Sequence, residues 1–485
     1  MSGEIADVLI IGAGLSGIGM ACHLARECPG KSVAILERRN AIGGTWDLFR
    51  YPGIRSDSDM FSFGYKFRPW NDLKVLADGP SIRSYIRDTA REYGIENKIT
   101  FGFRTKSVDW SSAEGCWTVT GTDEATGEAR SRKARFVIGA TGYYNYDTGF
   151  QPDFPGLDTF KGQVIHPQKW PEGLDYKGKR VVVIGSGATA VTLVPAMAGE
   201  AGHVTMLQRS PSYIFSVPAL DKLSGFLKTF LPESWVYGFA RRRNITVQRW
   251  LYIAARRWPH LVRRWLLSNV RKAVGPDFDM SHFTPTYNPW DERLCAVPNA
   301  DLFAALKSGQ ASVVTDQIDR FTENGIRLKS GKLLEADIVV SATGLNVQML
   351  GGTEVSLDGK AKSVASSMMY KGVLVQDMPN FACIFGYINA PWTLKADIAS
   401  SYVCRLLNHM DRNGIKVATP RDLEGSALDD TIMGGLSSGY VRRAKDALPR
   451  QGRKLPWAVL HDYKRDKVML LNEAIDDGNL EFAQG

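Results

Sequence analysis

Six residues, Gly12-Ala13-Gly14-Leu15-Ser16-Gly17, form a G-x-G-x-x-G string, the spacing that lets backbone wrap closely around a pyrophosphate. The apolar run 8–11 just before it reads as a buried strand, and 18–26 after it suits a helix. In that strand–loop–helix order Gly12 makes the turn and Gly14 lets the backbone approach the phosphates. The free N–H groups and dipole of the helix N-terminus favour the anion. Twenty residues after Gly17, the next strand-like run (32–36) ends in Glu37. A carboxylate there accepts from ribose hydroxyls and repels a 2′-phosphate, so the first loop is expected to hold FAD or NAD rather than NADP. A second loop, Gly185-Ser186-Gly187-Ala188-Thr189-Ala190, follows strand-like 180–184 and leads into a helix through Met197. Its next strand, 203–207, ends in Gln208-Arg209 with no acid. The planar fork of Arg209 suits a 2′-phosphate, so the second loop is expected to select NADPH.

Two longer strings accompany these loops. Gly43-Gly44-Thr45-Trp46-Asp47-Leu48-Phe49-Arg50-Tyr51-Pro52-Gly53-Ile54-Arg55-Ser56-Asp57 matches G-G-x-W-x-x-x-x-Y-P-G-x-x-x-D at every fixed position. Turn chemistry accounts for its glycines and Pro52, but not for Trp46 and Asp57 at those offsets. Between the loops, Phe160, Gly162, His166, Trp170 and Pro171 spell F-x-G-x-x-x-H-x-x-x-W-P. Both strings resemble fingerprints of the Baeyer–Villiger monooxygenases. The stretches 142–147, 287–295 and 392–397 extend the likeness over the chain, which is similar to the ethionamide-activating (EtaA-type) subgroup of these class B flavoproteins.

The resemblance implies bound FAD, NADPH as reductant, and insertion of one oxygen atom beside a ketone carbonyl to give an ester or lactone. Oxidation of sulfides and thioamides is the usual second activity. It further implies that Gly44, Thr45, Trp46, Asp47 and Leu48 wrap the flavin, with Asp57 beside the ring and Ser16, Arg55, Ser56 and Thr105 among the cofactor contacts. Oxygenated flavin is an anion that must not shed peroxide, and a cation in a site closed to water stabilises it. Arg293 matches the subgroup's active-site arginine, with Asp57 expected to orient it; Arg50 and Arg55 are rival cations. Many relatives carry Lys immediately before this Arg, whereas Glu292 stands here, which throws more of the NADPH selectivity onto Arg209. His166 and Trp170 are expected to act as a strut on the interdomain linker, with no acid–base role.

These residues need a particular frame. The expected fold is α/β, with two Rossmann-like dinucleotide-binding domains of the flavin-monooxygenase type and a helical insertion. FAD is assigned to 1–145 and 346–485, NADP to 146–215 and 285–345, and the insertion to 216–284. The strand–Ala-Thr-Gly runs 137–142 and 338–344 mark the passages between the halves. A chain of 485 residues exceeds one core, and 44% hydrophobic with 23% charged residues is ordinary for a globular protein. Six scattered cysteines, with no C-x-x-C, argue against a disulfide framework, a zinc site and a dithiol reductase, and suit a reduced cytoplasm.

Charge is concentrated in the insertion. From 222 to 272 there are twelve Lys or Arg and one acid, Glu233, so this stretch carries +11 and the remainder −2 against a total of +9. The periodicity of 247–270, with Trp250, Trp258 and Trp265, predicts amphipathic helices. The resemblance implies that they cap the substrate entrance, with peripheral membrane contact as the sharper alternative. Nucleic acid is disfavoured because no base-reading module is present. The competing activity is an N- or S-oxygenating flavin monooxygenase without ketone oxidation; sister enzymes of that kind usually have Tyr or Phe where Trp170 stands.

Overall fold

The structure, a computed structural model, describes residues 5–292 and 294–484. Two sheets carry the two glycine loops. At the centre of the first lies Ala6–Ile11, with Val8, Leu9 and Ile10 fully buried. A strand covered on both faces must be apolar on both, which is why this run shows no alternation. It runs parallel between Val33–Leu36 and Ala129–Gly139, with Val8 opposite Val33 and Leu9 opposite Val137. Ala129–Gly139 begins in an antiparallel ribbon with Cys116–Asp123 and Phe103–Ser111, then enters the parallel sheet. Helices Leu15–Glu27 and Trp392–Arg412 cover one face, burying Ile18, Cys22, Ile398 and Tyr402 in a common core.

The second sheet has five parallel strands in the order Ala311–Thr315, His203–Gln208, Arg180–Ile184, Ile338–Ser341, Gln163–Ile165. The chain passes between the sheets at Tyr144–Gly149 and Leu345–Val347, and these two passages pair antiparallel. Helices Lys222–Leu227, Glu233–Arg257 and Pro259–Val274 follow Ile214–Val217 and precede Cys295–Pro298, two strands that pair with each other. The periodicity of 247–270 is therefore helical. Its break falls at Trp258, because Pro259 lacks an N–H and restricts the residue before it. No helix among the described residues is long and apolar enough to cross a membrane.

Candidate active site

The glycines of the first loop are required by close approach. Gly12 has φ of +108°, and a Cβ there would fall 2.7 Å from the Ala140 carbonyl oxygen. The second loop repeats this geometry: Gly185 has φ of +142°, and a Cβ would fall 2.5 Å from the Ala342 oxygen. Each Ala-Thr-Gly run is thus the floor of the loop in its own half. Gly14 and Gly187 begin the following helices with no side chain closing either end, leaving first-turn N–H groups for an outside acceptor.

A cavity of about 270 Å³ lies on the first loop. Of the residues expected from sequence, Gly12, Gly14, Ser16, Glu37, Gly44, Thr45, Trp46, Ser56, Asp57 and Thr105 line it. Glu37 is buried, and its oxygens accept from the N–H groups of Ala13 at 2.7 Å and Arg39 at 2.8 Å. Burial outweighs those bonds and raises its pKa. The Thr105 hydroxyl is buried in this wall with no hydrogen-bond partner in the protein. Leaving such a group unpaired costs about 1–3 kcal/mol, and a polar ligand atom would relieve it. The wall fits a dinucleotide.

Gly17, Asp47, Leu48 and Arg55 do not line the cavity. A Cβ at Gly17 would fall 1.8 Å from the Gly12 oxygen, so this glycine seats the helix on the loop. Asp47 is buried and pairs with Arg39 at 2.7 Å, Arg50 at 2.6 Å and Arg83 at 3.3 Å. Arg55 pairs with Asp301 at 2.5 Å. Leu48 packs against the core of the second sheet, and Phe49 and Tyr51 are buried within it. A Cβ at Gly53 would fall 2.6 Å from the β-carbon of Ala196 in helix Ala188–Met197, and Tyr51 hydrogen-bonds Thr189. The 43–57 string therefore borders the first cavity with its two ends and is anchored on the second loop's helix with its middle.

Several lining residues escape sequence reasoning. Arg38 and Arg104 both pair with Asp147, at 2.5 and 3.0 Å. Trp392 donates its indole N–H to the Ser16 hydroxyl at 2.8 Å and stacks on Tyr143 with centroids 5.4 Å apart. Ser16 and Trp392 are 376 residues apart in the chain. The only local signal was the tryptophan at the head of the 392–397 stretch.

At the second loop, Gly187 and Ala188 are exposed, and the Ser186 and Ser212 hydroxyls are 2.9 Å apart. Ala190 is buried in the core beneath. Gln208 is also buried, donating its amide to the His282 carbonyl and the Thr315 hydroxyl at 2.7 and 2.9 Å, so its side chain serves the fold. Arg209 stands exposed. Burial raises the pKa of Glu292 against the opposing pull of Arg442 and Arg209, which places both cations near this carboxyl.

A larger cavity of about 930 Å³ shares Asp57, Ser58, Tyr387 and Ala390 with the first. The two cavities meet there. Phe215, Val217, Leu220, Val247, Leu251 and Trp290 give it apolar walls, which suits an apolar small molecule. The segments 287–292 and 389–395 contribute Trp290 and residues 389–391. Tyr143, Tyr144 and Tyr146 line the first cavity, and Tyr144 and Val347 pack against the core of the first sheet. Arg293 lies outside the described residues. The rival cations Arg50 and Arg55 are bound to Asp47 and Asp301.

His166 is held on the interdomain passages. Its Nε2 lies 3.1 Å from the Gly344 carbonyl oxygen and its Nδ1 accepts from the Gln168 N–H. A Cβ at Gly149 would fall 1.9 Å from its ring. Burial lowers its pKa, so the ring is neutral near pH 7. Trp170 packs against the second core.

Residues 6–393 match the flavin-binding monooxygenase-like family. The chain is similar to MymA of Mycobacterium tuberculosis, with 63% identity over 481 residues, 98% of this chain and 97% of MymA. It is also similar to the FAD-containing monooxygenase EthA of Mycolicibacterium smegmatis, with 49% identity over 483 residues, 99% of this chain and 98% of EthA. In fold it is similar to an oxidised steroid monooxygenase bound to NADP, at a TM-score of 0.78 and 21% identity over 99% of this chain and 100% of the other.

Proposed function

Because the chain belongs to the flavin-binding monooxygenase-like family, among the class B flavoproteins of the EtaA type, we propose that it is a Baeyer–Villiger monooxygenase. It uses NADPH and dioxygen to convert ketones to esters or lactones, and oxidises sulfides or thioamides at sulfur as a second activity. The observation that carries this reading is the meeting of a nucleotide-sized cavity and an apolar cavity at Asp57.

FAD is assigned to the first cavity and NADP to the second loop; when bound, they supply the reducing equivalents and the activated oxygen. Gly12, Gly14 and the N-terminus of Leu15–Glu27 would hold the first pyrophosphate, Glu37 the ribose, and Thr45, Trp46, Ser56 and Asp57 the ring end. Thr105 would gain its missing partner. Gly185, Ser186, Gly187, Ala188 and Thr189 would hold the second pyrophosphate, with Arg209 on the 2′-phosphate and Arg442 beside it. Arg293 is assigned the positive charge that stabilises the oxyanion formed at the substrate carbonyl, and Asp57 orients its guanidinium. The apolar walls exclude water and strengthen that interaction. We assign 1–145 with 346–485 to the FAD domain, 146–215 with 285–345 to the NADP domain and 216–284 to the insertion. The insertion is also assigned a peripheral membrane contact.

The test is a panel of linear ketones, cyclic ketones and sulfides, with products identified. At least one ester or lactone is expected. Sulfoxide without any ester would replace this reading by an S-oxygenating monooxygenase.

A further inference from the structure

Nineteen large apolar side chains stand exposed among the described residues, and twelve of them fall between Leu220 and Trp265. All seven exposed Phe and Trp are in that stretch. Patches of this kind mark an interaction site. On Glu233–Arg257, Val236, Tyr237, Ala240 and Arg241 face inward. On the outward face, at spacings of three and four, Trp235, Phe239, Arg242, Thr246 and Trp250 are all exposed. Pro259–Val274 repeats the pattern: Val262, Leu266 and Val270 are buried, while Leu261, Arg264, Trp265 and Lys272 are exposed. Each helix thus has one face in the protein and a second face that mixes large apolar side chains with cations. The single acid of 222–272, Glu233, is paired with Lys228 at 3.1 Å.

Charge decides the partner. A second copy of the chain would set +11 against +11. Nucleic acid would take the cations but leave the outward Trp and Leu side chains in water. A bilayer with anionic headgroups takes both, rings at headgroup depth and cations on the phosphates. The patch also reaches the large cavity: Leu220 and Val247, 51% and 58% exposed, line it together with Lys222, Arg243 and Leu251.

We propose that helices Lys222–Leu227, Glu233–Arg257 and Pro259–Val274 dock on an anionic bilayer surface, and that the large cavity takes substrate from that lipid phase. Its substrates are then water-insoluble carbonyl compounds dissolved in the membrane. The substrate half rests on the ketone-oxidising reading above; the docking half stands on the patch alone.

The FAD-loaded protein is sedimented with vesicles of phosphatidylcholine, alone and mixed with phosphatidylglycerol. Binding to the mixed vesicles, weakened by salt, is expected. Two variants are compared: Trp235→Ser with Phe239→Ser and Trp250→Ser, and Arg242→Glu with Arg264→Glu. Both are expected to keep FAD and to oxidise butanone in solution as the parent does. Both are expected to lose roughly tenfold or more in vesicle affinity, with a matching fall in turnover of methyl undecyl ketone held in the vesicles. Absence of vesicle binding, binding unchanged in both variants, or self-association by light scattering that the aromatic variant abolishes would overturn docking. Vesicle binding lost with undiminished turnover of the vesicle-held ketone would overturn entry from lipid. If the parent makes no ester from either ketone, the assigned reaction fails, and sedimentation still decides the docking.

Discussion

Arg209 is exposed at the end of His203–Gln208, where the first sheet carries Glu37 at the corresponding place. Losing a charge-assisted bond to phosphate costs about 1.5–3 kcal/mol, so Arg209→Ala should raise the KM for NADPH about 10- to 100-fold and leave that for NADH unchanged. A KM for NADPH within twofold of the parent would move phosphate recognition to Arg442. Arg293→Ala should retain FAD and its reduction by NADPH while losing ester formation; retained ester would place the oxyanion-stabilising charge elsewhere. His23 offers a test of stability. It is buried between Glu27 at 2.6 Å and Asp397 at 2.8 Å. Burial opposes its charge, but hydrogen bonds to Asp397 and Glu27 prevail and push its pKa up to about 9. A raised pKa stabilises the fold below the unfolded value near 6.5 and loses that contribution as pH rises to about 9. The melting temperature of the parent should therefore fall over that window relative to its value at lower pH. In His23→Gln this component of the slope should be absent, and an unchanged slope would dismiss the charge on His23.

Among the elements, the two passages between the sheets are the most constrained. Tyr144–Gly149 and Leu345–Val347 pair with each other, and the His166 ring occupies the space a side chain at position 149 would need. Gly149→Ala should destabilise by about 1–3 kcal/mol through overpacking. Adding His166→Ala should recover part of that loss, giving a coupling that a double-mutant cycle reads as non-additive unfolding free energies. Strict additivity would mean the ring swings away freely and is no strut. The 43–57 string works at the same scale. Its anchorage on Ala188–Met197 through Gly53 and Tyr51 couples the position of Asp57 to the second loop.

The whole molecule keeps its thiols inside. Cys22, Cys28, Cys116, Cys295, Cys383 and Cys404 are all buried, and burial pushes the thiols of Cys22 and Cys383 up to about 12. The native protein should therefore show almost no fast reaction with a thiol-titrating reagent, and all six should react once it is unfolded. A rapidly titrating thiol in the native state would contradict this packing. At this scale charge is equally uneven: +11 lies in one helical segment, on the side of the protein where the large cavity reaches the surface.

Local pattern was enough for much of this. Gly12 and Gly185 announced their loops because a positive φ at a point of close approach admits little else, and the places of Glu37 and Arg209 were legible because each directly follows a strand next to its loop. Buried-strand runs such as 180–184 identified the sheets because a strand covered on both faces has no polar alternative. What the chain could not disclose were pairings between distant segments. Trp392 on Ser16, Asp147 between Arg38 and Arg104, and Tyr387 at the junction of the cavities leave no periodic or spacing signal. Asp47 and Gln208 looked like cofactor contacts because they neighbour other expected contacts in sequence. Only the packed structure turned one into the acceptor of three arginines and the other into a buried brace, since side-chain direction and burial are set by which elements dock, not by the order of residues along them.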